Sequence, residues 1–277
     1  MTKLTRLPPT DEWILKYTGS GTALHLTPSV PSATEYLKDV ILKNVRLQLT
    51  SSCKIGLRLY MVNSADVEHI IIRGGGGKGT GVGLQVDGSI ASEFKFIEID
   101  GGPGVTPLDY MATGLRIQLG FNNLINTTLT FYKCYIHYCL TGASDQGSSQ
   151  GLTYRDSIFE SNDYGLITGD TSRTLLDNCW FEANLTTDIY FSKDSETTIR
   201  GGKINAGSRQ TFFHGNFPKS IMLDGVDFYT SHPDPILINR EHNFAGAKLI
   251  LRDCTFPPNM AIGTVNQDNM KIIGNVN

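Results

Sequence analysis

The sequence predicts an all-β solenoid, a right-handed single-stranded parallel β-helix of about 9–10 coils with a short N-terminal cap. Three observations carry that prediction: a strand-like segment that returns every 20-odd residues, a second strand-like segment alongside it, and a turn-rich composition. Six copies of the first segment align, TFYKCYI (130–136), TYRDSIF (153–159), LLDNCWF (175–181), TIRGGKI (198–204), MLDGVDF (222–228) and ILRDCTF (250–256), with starts 23, 22, 23, 24 and 28 residues apart. IIIRGGG (71–77) and VILKNVR (40–46) extend the series toward the N-terminus. The second segment recurs as GTALHL (21–26), KIGLRL (54–59), GVGLQV (81–86), ATGLRI (112–117), DYGLIT (163–168) and TDIYFS (187–192). Both alternate with period two and are separated by Gly, Asn and Asp turns, whereas a helical solenoid would show period 3.6. The 29 glycines, with Thr, Asn and Asp interleaved among short apolar runs, suit turns and strands and disfavour long helices.

Stacking the coils assigns the inward columns. Phe131, Tyr154, Leu176, Ile199, Leu223 and Leu251 form one; Cys134, Ser157, Cys179, Gly202, Val226 and Cys254 a second; Ile136, Phe159, Phe181, Ile204, Phe228 and Phe256 a third. Three of the five cysteines fall in the small-residue column and are expected to be buried, inert thiols. The odd count, with no CxxC and no His/Cys cluster, excludes a disulfide framework and a zinc site, and the six histidines never approach ligand spacing, so no metal and no cofactor is expected. One outward column, Arg73, Asp100, Tyr132, Arg155, Asp177, Arg200, Asp224 and Arg252, alternates in sign, so opposite charges meet on strands ~4.8 Å apart and fix the register of the coils.

The remaining segments fit around this body. Residues 1–20 lack the repeat and contain Trp13-Ile14-Leu15, so they are expected to cover one end of the solenoid formed by 21–277. TEYLKDVIL (34–42) has the pattern of a short helix but overlaps a coil strand. GGGGKGTGVG (74–83) resembles a phosphate loop, yet Lys78 is followed by Gly79 where Ser or Thr is needed, so it reads as a turn. Asn184-Leu185-Thr186 is a glycosylation sequon, without meaning in a bacterial host.

Charge and hydropathy exclude several partners. With 24 basic and 27 acidic residues, a net charge of −3 and no basic stripe, nucleic acid is not expected. No apolar run approaches the ~20 residues of a membrane span, so no membrane insertion is expected. The opening MTKLTRLPPTDEW has no apolar core of a secretory leader, which predicts synthesis in a cytoplasm without one.

The candidate site lies on the outer face of the third-column strand. Its two outward columns read Tyr135, Ile158, Trp180, Lys203, Asp227 and His137, Glu160, Glu182, Asn205, Tyr229. Glu160 and Glu182 occupy equivalent positions in consecutive coils, ~5 Å apart, a separation that suits the nucleophile and acid/base of a retaining glycosidase. Tyr135, His137, Trp180 and Lys203 beside them are the candidate carbohydrate contacts, the aromatic rings offering platforms for the apolar faces of sugars. Two other readings stand beside this one. FESN and FEAN are also what a structural repeat with solvated glutamates would give, and Tyr135, Ile158 and Trp180, with Ile167 and Leu237, would also suit a subunit interface.

SIFESNDYGL (157–166) and NCWFEANLTTDIYF (178–191), with their strand–Asn-turn–strand pattern, make the chain resemble the pectate-lyase-like β-helix superfamily, particularly tailspike and appendage proteins of tailed bacteriophages, over residues 20–277. The resemblance implies a virion location on the phage tail, a parallel homotrimer, contact with other virion proteins and a long surface facing a host polysaccharide, with or without hydrolysis or cleavage of it. A secreted polysaccharide lyase or hydrolase, or a non-catalytic appendage, is the alternative. No lyase signature can be carried over residue by residue, and a trimerising C-terminal domain is not expected before the closing KIIGNVN.

Overall fold

Each repeat winds once around a common axis and lays its strands on those of the coil before it. The computed structural model describes residues 2–7, 12–32, 34–74, 81–102, 111–216, 218–239, 246–263 and 267–274. Among these, one nineteen-stranded sheet takes two strands from most coils and one nine-stranded sheet takes a single strand from each of nine coils, so the smaller sheet stacks nine levels with eight steps between them. The coil pairings are parallel throughout; only Thr2–Leu7 runs antiparallel, on Glu12–Tyr17, which itself pairs in parallel with Ile41–Leu49. Residues 34–42 carry the strands Leu37–Lys38 and the start of Ile41–Leu49, so the short helix that TEYLKDVIL suggested is absent; ladder bonds to Val62 and Asp66 hold this stretch extended. Most of GGGGKGTGVG, residues 75–80, lies outside the described residues.

The inward columns are those the repeat assigns. Phe131, Tyr154, Leu176, Ile199, Leu223 and Leu251 pair in register and are buried, as are Ile136, Phe159, Phe181, Ile204 and Phe228. Aromatic rings stack along the axis, Phe94 on Phe131 at 4.6 Å and Phe159 on Phe181 at 4.8 Å, contacts that contribute ~0.5–1.5 kcal/mol each beyond burial. All five cysteines are free and buried.

Two stacked columns shape the coils, one of asparagines at a turn and one of glycines within strands. Asn162 and Asn184, one coil apart, form a buried ladder. The Oδ1 of Asn162 accepts from the Cys139 N–H at 3.0 Å and that of Asn184 from the Asn162 N–H at 3.1 Å, while their amides donate to the carbonyls of Ile136 and Phe159. Asn184 is 2 % exposed, so the acceptor amide of the sequon is sealed in the fold. On the nine-stranded sheet, Gly56, Gly83, Gly114, Gly142 and Gly165 are in register, each just before the inward residue of its strand. A Cβ at Gly114 would lie 2.6 Å from the Gly142 carbonyl oxygen and 2.5 Å from Ile136, so the close approach of the two sheets requires glycine there.

Two outward assignments are corrected. Arg73 and Asp100 do not belong to the alternating column: Arg73 pairs with Asp100, and Asp100 with His137, in the column of Glu160 and Glu182. The alternating column runs instead Lys43, Glu68, Lys95, Tyr132, Arg155, Asp177, Arg200, Asp224 and Arg252. The slip arises because Asp66–Gly74 and Ile90–Asp100 run through their corner as single strands, with His69 and Phe96 where the coils from Asp156 onward have Asp, Asn or Gly. Leu237, expected outside, is buried: it pairs with Phe212 at the position the glycines occupy lower in the stack, where a side chain turns into the core.

Candidate functional site

Three-residue strands present the strip. Tyr135–His137, Ile158–Glu160, Trp180–Glu182, Lys203–Asn205 and Asp227–Tyr229 stack in register, each preceded by a corner residue with positive φ, Lys133, Asp156, Asn178, Gly201 and Gly225 in turn. The bend leaves the middle residue of each strand in the core and turns the flanking two outward. Trp180, 39 % exposed, stands over a shallow groove of about 420 Å³ whose lining includes Asp156, Ile158, Asn178, Lys203 and Asp227. The Asn178 amide donates to Asp156 at 2.7 Å and fixes the groove floor. Lys203 places its ammonium 5.0 Å from the Trp180 ring and 4.3 Å from that of Tyr229, itself 45 % exposed, so one cation is held between two aromatic faces.

The two glutamates pair in register across consecutive strands, yet each is held by a different donor. The Tyr135 hydroxyl donates to Glu160 Oε2 at 2.5 Å, and the Asn205 amide donates to Glu182 Oε1 at 3.1 Å. Burial, and then the Glu160 carboxylate, push the Tyr135 hydroxyl above its ordinary pKa, so the proton stays on Tyr135 and the bond keeps this direction.

His137 sits deeper than its place in an outward column suggests. It is 8 % exposed, its ring stacks on Tyr135 at 4.2 Å and lies 5.0 Å from Tyr138, and neither ring nitrogen has a hydrogen-bond partner. Burial lowers its pKa, opposed by the carboxylates of Asp100, Glu98 and Glu160, so the ring is neutral. The structure therefore brings Trp180, Lys203, Glu160 and Glu182 to one surface strip, with Tyr135 half-buried at its edge and His137 beneath it. Tyr229 stands in the second outward column read from the sequence but not among the candidate contacts there; it follows Asp227 by two residues and pairs with Asn205. Among the described residues no group of three or more His, Cys, Asp or Glu side chains is placed to hold a metal ion, and no helix is long and apolar enough to cross a membrane.

The profile of the right handed beta helix region matches residues 117–276. The chain belongs to that family. No curated protein matches this β-helix. Among solved structures it is similar to the gp42 tailspike of Acinetobacter phage vb_AbaP_AS12, at 14% identity and a TM-score of 0.61, over 89% of this chain and 47% of that one. It is also similar to the gp49 tailspike of Pseudomonas phage LKA1, at 11% identity and a TM-score of 0.45, over 84% of this chain and 52% of that one. The chain thus spans about half the length of these tailspike chains, and its likeness to the Acinetobacter phage tailspike is one of fold.

Proposed function

We propose that this β-helix is the body of a tailspike-like virion appendage and binds a host-surface polysaccharide through the strip around Trp180. The observation that carries the reading is the Trp180–Lys203–Tyr229 sandwich beside the groove: two exposed rings with one ammonium between them present the apolar faces and donors that sugar rings need. Trp180→Ala should weaken polysaccharide binding by ~1–3 kcal/mol, read as retention in gels cast with the polysaccharide; unchanged retention would place the site elsewhere.

A second reading adds hydrolysis, and the in-register pair Glu160 and Glu182 favours it. On that reading Glu160→Gln or Glu182→Gln abolishes release of reducing ends while retention persists, because both carboxyls are needed. If the strip only binds, both variants behave as the wild type. Assembly as a parallel homotrimer, and attachment to other virion proteins, belong to the same proposal. Trp180 and the half-exposed Ile158 and Ile167 support them as apolar surface, and light scattering at the 30.4 kDa chain mass would reject the trimer.

A further inference from the structure

The corner that bends each coil of the large sheet carries a residue with positive φ at nine successive levels: Asn44, His69, Phe96, Lys133, Asp156, Asn178, Gly201, Gly225 and Asp253. Six of these are Asn, Asp or Gly, which accept the left-handed region most readily. The other three are consecutive, with φ of 52° at His69, 54° at Phe96 and 51° at Lys133. Phe and Lys are poor choices for such a bend, and a bulky side chain kept where Asn would fit better points to use of that side chain.

The side chains make one built surface. His69 and Phe96 stack with ring centroids 4.7 Å apart and planes 5° from parallel, and Lys133 places its ammonium 5.9 Å from the Phe96 ring. Below His69 the column steps down to the smaller Asn44, and there a groove of about 510 Å³ opens between the corner and the outward residues Arg46, Ile71 and Glu98, closed at its end by Glu12. Its charges are already paired: Arg46 Nε donates to Glu12 at 3.2 Å and Arg73 donates to Glu98 at 2.8 Å. Fixed in this way, the groups offer hydrogen-bonding edges with little free charge, which suits sugar hydroxyls better than an ion. The groove is also collinear with the one at Trp180. Glu98, Tyr135, Ile158 and Trp180 share one column, and three strand steps separate its ends, roughly 14 Å.

We propose that this N-terminal stretch of the corner is a second glycan subsite, in which an uncharged hexopyranose unit lies against the His69–Phe96 stack, so that a polysaccharide runs along the solenoid axis between here and Trp180. The proposal rests on the polysaccharide-binding reading, and the experiment separates the two. The probe is a printed array of purified bacterial surface polysaccharides, followed by the affinity of the best-bound one for wild type, Trp180→Ala and the double variant His69→Asn, Phe96→Asn. Asparagine is the corner's own preference, so the double variant should melt no lower than wild type while binding at least tenfold more weakly. Wild-type affinity in the double variant, with loss in Trp180→Ala, overturns the second subsite and leaves the first standing. Weakened binding accompanied by a lowered melting temperature makes the stack a structural prop and overturns the subsite as well. An array on which the wild type binds nothing overturns both.

Discussion

A methyl group at Gly114 would press at once on the Gly142 carbonyl of the next coil and on the buried Ile136 side chain. Gly114→Ala is therefore expected to lower stability by roughly 1–3 kcal/mol in chemical denaturation, the cost of overpacking a core, although alanine usually favours folding when it replaces glycine. The small column of the large sheet has the opposite character, since its side chains fit. Burial pushes the thiols of Cys134 and Cys179 up to about 12 and raises that of Cys254, so all three should stay unlabelled by a thiol reagent at neutral pH until the protein unfolds. Rapid labelling of the native protein would invert the assigned faces.

At the scale of one strand and its neighbours, the charge ladder sets register. Asp177 accepts from Arg155 Nε and Arg200 Nε, both at 3.0 Å, and Asp224 accepts from Arg252 at 2.7 Å. Asp177→Arg would line up three cations and should cost about 1 kcal/mol, most of it recovered by Arg155→Asp with Arg200→Asp; simple additivity of the three changes in thermal melts would mean the side chains do not interact. The arginine hydrogen bonds hold the carboxyls of Asp177 and Asp224 below their ordinary pKa. A folded-state pKa below the unfolded one means that the unfolded chain binds the proton more tightly. The ladder's contribution is thus complete above the unfolded carboxylate value and is lost as pH falls through the lower folded values, and added salt reduces it at any pH.

This ladder also marks how far the sequence could be read. From Phe131 onward the corners Asp156, Asn178, Gly201, Gly225 and Asp253 announce themselves chemically, and the column Phe131, Tyr154, Leu176, Ile199, Leu223 and Leu251 runs as assigned, whereas Leu237 on the smaller sheet was placed outside and is inside. Upstream, His69 and Phe96 hide the bend, so Arg73 and Asp100 were counted into the wrong column, and the groove beside them left no mark on the repeat pattern. At the strip, the columns named Trp180, Lys203, Glu160 and Glu182 as neighbours. The depth of His137 and the tyrosine–glutamate bond depend on side-chain packing, which spacing does not encode.

At the scale of the molecule, among the described residues each strand of the coils pairs with strands of the adjacent levels, so stability accumulates step by step along the axis. The ladder adds a condition that the apolar columns do not. The Phe131–Leu251 column is apolar at every level, but the signs at Arg155, Asp177, Arg200, Asp224 and Arg252 repeat only every second level. Such a chain can lengthen or shorten by gene duplication or loss most safely in even steps. Excising 178–200, a single level, would set Asp177 against Asp224, whereas excising 156–200 would set Arg155 against Asp224 and restore attraction. The shorter protein is accordingly expected to keep the higher melting temperature per level retained, and equal values for the two excisions would show that parity plays no part in how this solenoid grows.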